Sequence, residues 1–134
     1  MRLERERGGV VCERCKVADT VPTRMKGLLG RKDLPAGEGL LIRPASSIHM
    51  FFMHFPIDAV FLDRELRVLR VAESLRPWRI AGCRGARAVL ELRAGEAEQR
   101  GLSPGEGLVL AQEESEQRAE HEERTERKRR LPRG

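Results

Sequence analysis

The sequence predicts a mainly β domain, a compact barrel or sandwich with one short helix near its N-terminus and a charged C-terminal tail. Three observations carry this. Short apolar runs recur along the chain, separated by glycine, proline and acidic turn residues. Only one long segment, after Asp19, has helical spacing of its apolar residues. The chain from Glu113 onward is almost without apolar residues.

Residues 1–9 are charged throughout and are expected to lie outside the folded part, with Gly8-Gly9 as a hinge. Val10 to Val17 reads as a first strand. Asp19 and Thr20 are helix N-cap residues, and Pro22 sits where a first turn tolerates it. The helix then runs through Thr23 to Leu29, with Met25, Leu28 and Leu29 on one face and Gly30 as its stop. Pro35, Gly37 and Gly39 punctuate a loop before the short strand 39–42. Ser47 to Phe52 and Ile57 to Leu62 read as strands separated by Pro56, which has no amide hydrogen for a ladder. Asp63-Arg64-Glu65 reads as a turn into a strand over 66–72. Ala88 to Leu92 is a further strand, Gly95 to Leu102 a short helix, and Gly107 to Leu110 the last strand. The folded unit is thus expected over 10–111, with 112–134 as a partly helical or disordered tail.

Of 134 residues, 40% are hydrophobic and 35% charged, and the net charge is +5. The seven acidic and seven basic side chains after Gln112 cancel, so the excess belongs to the preceding part. The arginines there are scattered, as on a solvated surface. With no tyrosine and one tryptophan, the chain is poorly supplied with stacking platforms for single strands. Nucleic acid is therefore not expected as the main partner. The basic cluster Arg127 to Arg130 follows an acidic stretch that can neutralise it. The N-terminus lacks an apolar signal core, and no segment is long and apolar enough to be a transmembrane helix. The expectation is a cytoplasmic location with no membrane partner, and hence reduced thiols at Cys12, Cys15 and Cys83.

The segment Ile48 to Asp63 is the longest apolar stretch and carries His49, His54 and Asp58. Strand parity places His49 with Met53 on one face, and Met50, Phe52 and His54 on the other. The histidines should then diverge, and no metal is expected. Asp58 has apolar neighbours on both sides. A buried carboxylate needs compensation, and Arg24 or Arg31 is the expected partner. Glu91 lies between Leu90 and Leu92, so it should face away from them, as a solvent-facing residue does. Cys12-Glu13-Arg14-Cys15 has the spacing of a zinc or redox motif. On one strand that spacing sends the sulfurs to opposite faces, so ordinary buried thiols are expected.

Arg24-Met25-Lys26-Gly27-Leu28-Leu29-Gly30-Arg31, Gly39-Leu40-Leu41, Ile48-His49 with Met53 to Asp63, and Gly85 to Gly95 occur in an order that resembles the domain of unknown function 192 family. The resemblance covers roughly Val17 to Leu110 and implies a single β-rich domain with no established activity or cofactor. Cys12, Cys15 and the tail lie outside the pattern. The sequence therefore points to a small binding or accessory module for an unknown small ligand or protein partner, monomeric or homodimeric. Its expected surface is Arg24, Arg31, His49, Met53, His54, Asp58 and Glu91. The alternatives are an enzyme, such as a metal-dependent hydrolase using His49, His54 and Asp58, and a nucleic-acid-associated protein using the arginines.

Overall fold

The computed structural model describes residues 1–20, 23, 24, 27, 28, 30–111 and 123–127. Its elements are β1 (Arg2–Arg5), β2 (Val10–Cys12), β3 (Arg14–Ala18), β4 (Glu38–Ile42), β5 (Ser47–His49), β6 (Ile57–Leu62), β7 (Val68–Leu75), β8 (Ile80–Gly82), β9 (Ala88–Arg93), α1 (Glu96–Gln99) and β10 (Leu108–Ala111). The protein is mainly β. The sheets have orders β3-β4-β9-β6-β7, β10-β1-β2 and β5-β8. None of these orders returns to its first strand, so the barrel considered from sequence is not closed among the described residues.

The five-stranded sheet is central, and both of its faces are covered. All six residues of β6 and the first five of β9 are buried. Val60 and Leu90 oppose one another in register and enter a first core with Leu41, Leu62 and Leu92. That core is closed by Leu3 of β1, Cys12 of β2, Ala97 of α1 and Leu108 of β10. On the opposite face, Leu40, Ala59, Phe61 and Val89 meet Leu28, Leu34, Ile48, Met50 and Met53 in a second core. Strands covered on both faces read as continuous apolar runs, and 57–62 does so.

The N-terminal segment corrects the expectation that residues 1–9 lie outside the fold. β1 is the middle strand of its sheet, with Leu3 fully buried between Leu110 and Cys12. Its charged neighbours are used: Arg5 and Arg7 both meet Glu106, whose side chain is nearly buried, the Arg7 contact at 3.0 Å. A strand with one apolar residue among charges gives no alternation to read. The expected strand 10–17 is two strands broken at Glu13. Strand β8 was not anticipated, and β5 stops at His49 rather than Phe52.

The first helix begins as expected. Thr20 and Thr23 form a reciprocal cap: the Thr23 amide donates to Thr20 Oγ1 (3.3 Å) and the Thr20 amide to Thr23 Oγ1 (3.1 Å). Thr23 and Arg24 are helical. Pro22, Met25 and Leu29 of the expected helix lie outside the described residues. So does most of the tail, of which 123–127 are helical.

Candidate functional site

The site grows out of the strand β5 and the loop after it. Ile48 opposes Ala81 and turns into the second core, whereas His49 opposes Ile80 and both face solvent. The pairing continues past β5 through the Met50 amide to the Arg79 carbonyl and the Trp78 amide to the Met50 carbonyl, each 2.7 Å. The chain then turns at Phe52, which takes a left-handed φ of 65°. The Met53 amide donates back to the Met50 carbonyl. Met50 and Met53 are therefore buried at turn spacing, while Phe52 and His54 are exposed. The strand parity expected for 49–54 fails because the strand ends at its first member.

Behind this loop lies an open cavity of about 430 Å³. Its apolar wall includes Leu28, Ile42, Ile48, Met50 and Met53, and its polar groups are Arg24, Ser46, Ser47, His49 and Glu91. Glu91 sits on β9 between Leu40 of β4 and Ala59 of β6 in register. It does face away from Leu90 and Leu92, as its parity requires. That face is not solvent, however, but the second core, and Glu91 is only 6% exposed. Burial pushes its carboxyl up to about 7. Among the described residues no hydrogen-bond donor meets it. Arg24 gives Nη1 to the Pro44 carbonyl at 3.1 Å, while its Nε is buried without a partner.

The cavity thus gathers four of the residues singled out from sequence: Arg24, His49, Met53 and Glu91. The other three lie elsewhere. Arg31 pairs with Glu38 at 3.1 Å, beside a separate groove lined by Cys15 and Lys16. His54 is exposed and is not among the residues lining the cavity. Asp58 is fully buried, but among the described residues no arginine reaches it. Its Oδ1 accepts from the Ser74 amide (2.8 Å), and its Oδ2 from the Gly95 (3.0 Å) and Ala97 (2.9 Å) amides. Gly95 is the N-cap position of α1, with φ 95° and no capping side chain of its own, so Asp58 caps that helix from the neighbouring strand. The expected Asp58–arginine pair is replaced by backbone amides, which serve a buried carboxylate equally well.

Cys12 and Cys15 are buried thiols, as expected, but their placement differs from the strand parity. The break at Glu13 lets both enter the first core instead of opposite faces, while Cys83 packs against the second. The hydrogen bond with the Cys15 thiol, and then burial, hold the Cys12 thiol well above its ordinary value. Among the described residues no cluster of three or more His, Cys, Asp or Glu side chains could hold a metal ion.

Several site residues were not anticipated. Ser46 gave no signal, and Ser47, Ile48 and Met50 read only as strand. Phe52 (67% exposed), Trp78 (59%) and Ile80 (66%) form an apolar edge beside the loop. The Phe52 and Trp78 rings meet edge-on at 4.9 Å, and Trp78 also has a left-handed φ, 69°. Non-glycine residues in that region cluster where function over-determines the backbone.

The fold and cavity define a small β-rich domain with an open cavity that carries a few polar side chains. A profile of domain of unknown function family 192, described as "Uncharacterized ACR", matches residues 3–110. The chain belongs to this family. It is 33% identical over 100 residues to a UPF0127 protein of Thermococcus sibiricus, covering 71% of this chain and 64% of that protein. It is 41% identical over 68 residues to one from Pyrococcus horikoshii, covering 48% of this chain and 58% of that protein. The chain thus spans about three fifths of the length of these curated relatives. A protein of unknown function from Novosphingobium aromaticivorans superposes with a TM-score of 0.70 at 26% identity, covering 81% of this chain and 82% of that one. A protein from Sinorhizobium meliloti named as a candidate transcription regulator does so with 0.70 at 25%, covering 81% and 89%.

Proposed function

We propose that this domain is a small-ligand-binding module and that the cavity behind the 50–55 loop is its site. The observation that carries this is Glu91: a carboxyl in a core position, unpaired among the described residues, lining an open cavity. Burying such a group without a partner costs stability, and a sequence keeps it where a ligand supplies the partner. A cavity of about 430 Å³ whose wall mixes apolar and polar groups has the dimensions of a small-molecule pocket. In this reading Arg24, His49, Met53 and Glu91 are ligand contacts, and Arg31, His54 and Asp58 are not. The module acts in the cytoplasm as a monomer or homodimer, with a sandwich-like body.

The hydrolase alternative built on His49, His54 and Asp58 lacks geometric support, because Asp58 is committed to three amides and His54 is not part of the cavity. The nucleic-acid alternative rests on the name of the Sinorhizobium protein and on the arginines. Salt-dependent binding to generic DNA would support it.

The test is to screen a fragment mixture against the full chain by methyl NMR. Binding should move the Met50 and Met53 methyl resonances, and Ser47→Trp, which puts bulk at the cavity's exposed lip, should abolish it without unfolding the protein. Fragments that move other methyls and leave these two still would refute the assignment.

A further inference from the structure

The polar groups of the cavity also define what kind of ligand completes them, granted the reading that the cavity is a ligand site. Two of them lack a full set of partners among the described residues, and they are opposite in character. Arg24 spends Nη1 on the Pro44 carbonyl, yet its Nε hydrogen is buried without an acceptor. The Glu91 carboxyl meets no donor among the described residues and is nine-tenths buried. Both residues line the same cavity, but they do not pair with each other. Among the described residues burial alone acts on the Glu91 carboxyl, and no neighbouring cation pulls it back down. The cavity therefore presents a carboxyl and a guanidinium that are not paired with each other, with Leu28, Ile42, Ile48 and Met53 among its apolar residues.

A ligand with one charge would leave the other pole stranded. An amine would answer Glu91 and leave the Arg24 guanidinium without an anionic partner. A carboxylic acid would do the reverse. A polyol would bring many hydroxyls but answer neither charge. We propose that the cavity binds a small zwitterion with an apolar body, its ammonium on Glu91 and its carboxylate on Arg24. Aliphatic α-amino acids and ω-amino acids are the class that fits. An ammonium beside Glu91 returns the carboxyl to its ionised form, so binding releases a proton near neutral pH. The guanidinium fork gives the carboxylate a charge-assisted partner.

The probes are leucine and a length series of ω-amino acids from β-alanine to 8-aminooctanoic acid. Each is compared with the matching amine, acid and amide, by calorimetry on the full chain and by the Met50 and Met53 methyl shifts. At least one zwitterion should bind roughly tenfold or more tightly than its single-charge counterparts, as a charge-assisted hydrogen bond at each end requires. Glu91→Gln should remove its advantage over the acid, and Arg24→Met its advantage over the amine. Melting curves report whether each variant is folded, and the wild-type comparison decides alone if either is not. An amine, acid or amide that binds as tightly as the zwitterion overturns the proposal. So does silence from the whole series. If the fragment mixture still moves the two methyls while the series does not, the ligand class falls and the binding site stands; if neither does, both fall.

Discussion

Replacing Asp58 by alanine tests the most specific structural claim, that one buried carboxylate ties three elements together. Opposite Asp58, the β6–β7 ladder slips: Ile57 pairs with Leu75 but Ala59 with Ala72, leaving an extra residue on β7. Ser74, in that bulge, has a left-handed φ of 49° and gives its amide to Asp58. The Gly95 and Ala97 amides at the start of α1 are the other donors. Asp58→Ala strands three amides, one of them fully buried with Ala97. Each unsatisfied buried donor costs about 1–3 kcal/mol, and water entering the space recovers part of it. A loss of about 4 kcal/mol is expected, a large share of a domain's total stability. Asp58→Asn keeps one acceptor. Its oxygen can serve Gly95 and Ala97 while its amide opposes the Ser74 N–H, so about 2 kcal/mol is expected. Urea denaturation of parent and variants measures both. An alanine variant within about 1 kcal/mol of the parent would refute the capping role. An asparagine variant as damaged as the alanine variant would show that charge, rather than the count of acceptors, is decisive.

Glu91 gives the protein a pH dependence of defined sign. Its carboxyl is raised from 4.5 to about 7 in the folded state, so the stability it contributes is full below pH 4.5 and is lost as pH rises toward 7. The span corresponds to about 3 kcal/mol, and Glu91→Gln should flatten that part of a stability–pH curve. Gly39→Ala should destabilise by about 2 kcal/mol, because a Cβ there would stand 2.8 Å from Cys12 Sγ and 3.1 Å from the Glu91 carbonyl. Thermal or urea unfolding measures it, and a neutral result would mean that β4 and β9 can move apart. A chain beginning at Gly8 loses the middle strand of a sheet and the buried Leu3, and should lose roughly 3 kcal/mol or more in the same assay. A truncated protein as stable as the parent would return residues 1–7 to the status of an appendage.

What the sequence carried and what it hid divide along physical lines. The central strands were legible because 57–62 and 88–92 are apolar enough to be strands wherever they sit. The Thr20 cap was legible because hydroxyl residues before a helical run have few other uses. Strand β1 was hidden because its burial rests on pairing with β10, more than a hundred residues away, and charged residues between two strands leave no local pattern. The same limit governs the site. Parity placed Glu91 on the face opposite Leu90, but parity says nothing about what covers that face. The second core comes from the loop around Met50, whose turn cannot be read from an apolar run. Asp58 was recognised as buried, yet its partners are backbone amides, which every residue but proline owns and which no sequence pattern marks.

The central claim is that Glu91 is a buried, unpaired carboxyl in a ligand cavity. Its most direct test is an NMR pH titration of the Glu91 side-chain carboxyl carbon in the ligand-free, folded chain. The account predicts a midpoint near pH 7, well above the ordinary 4.5. A midpoint at or below 4.5 would show a solvated or already paired carboxylate, and would remove the observation on which the binding site rests.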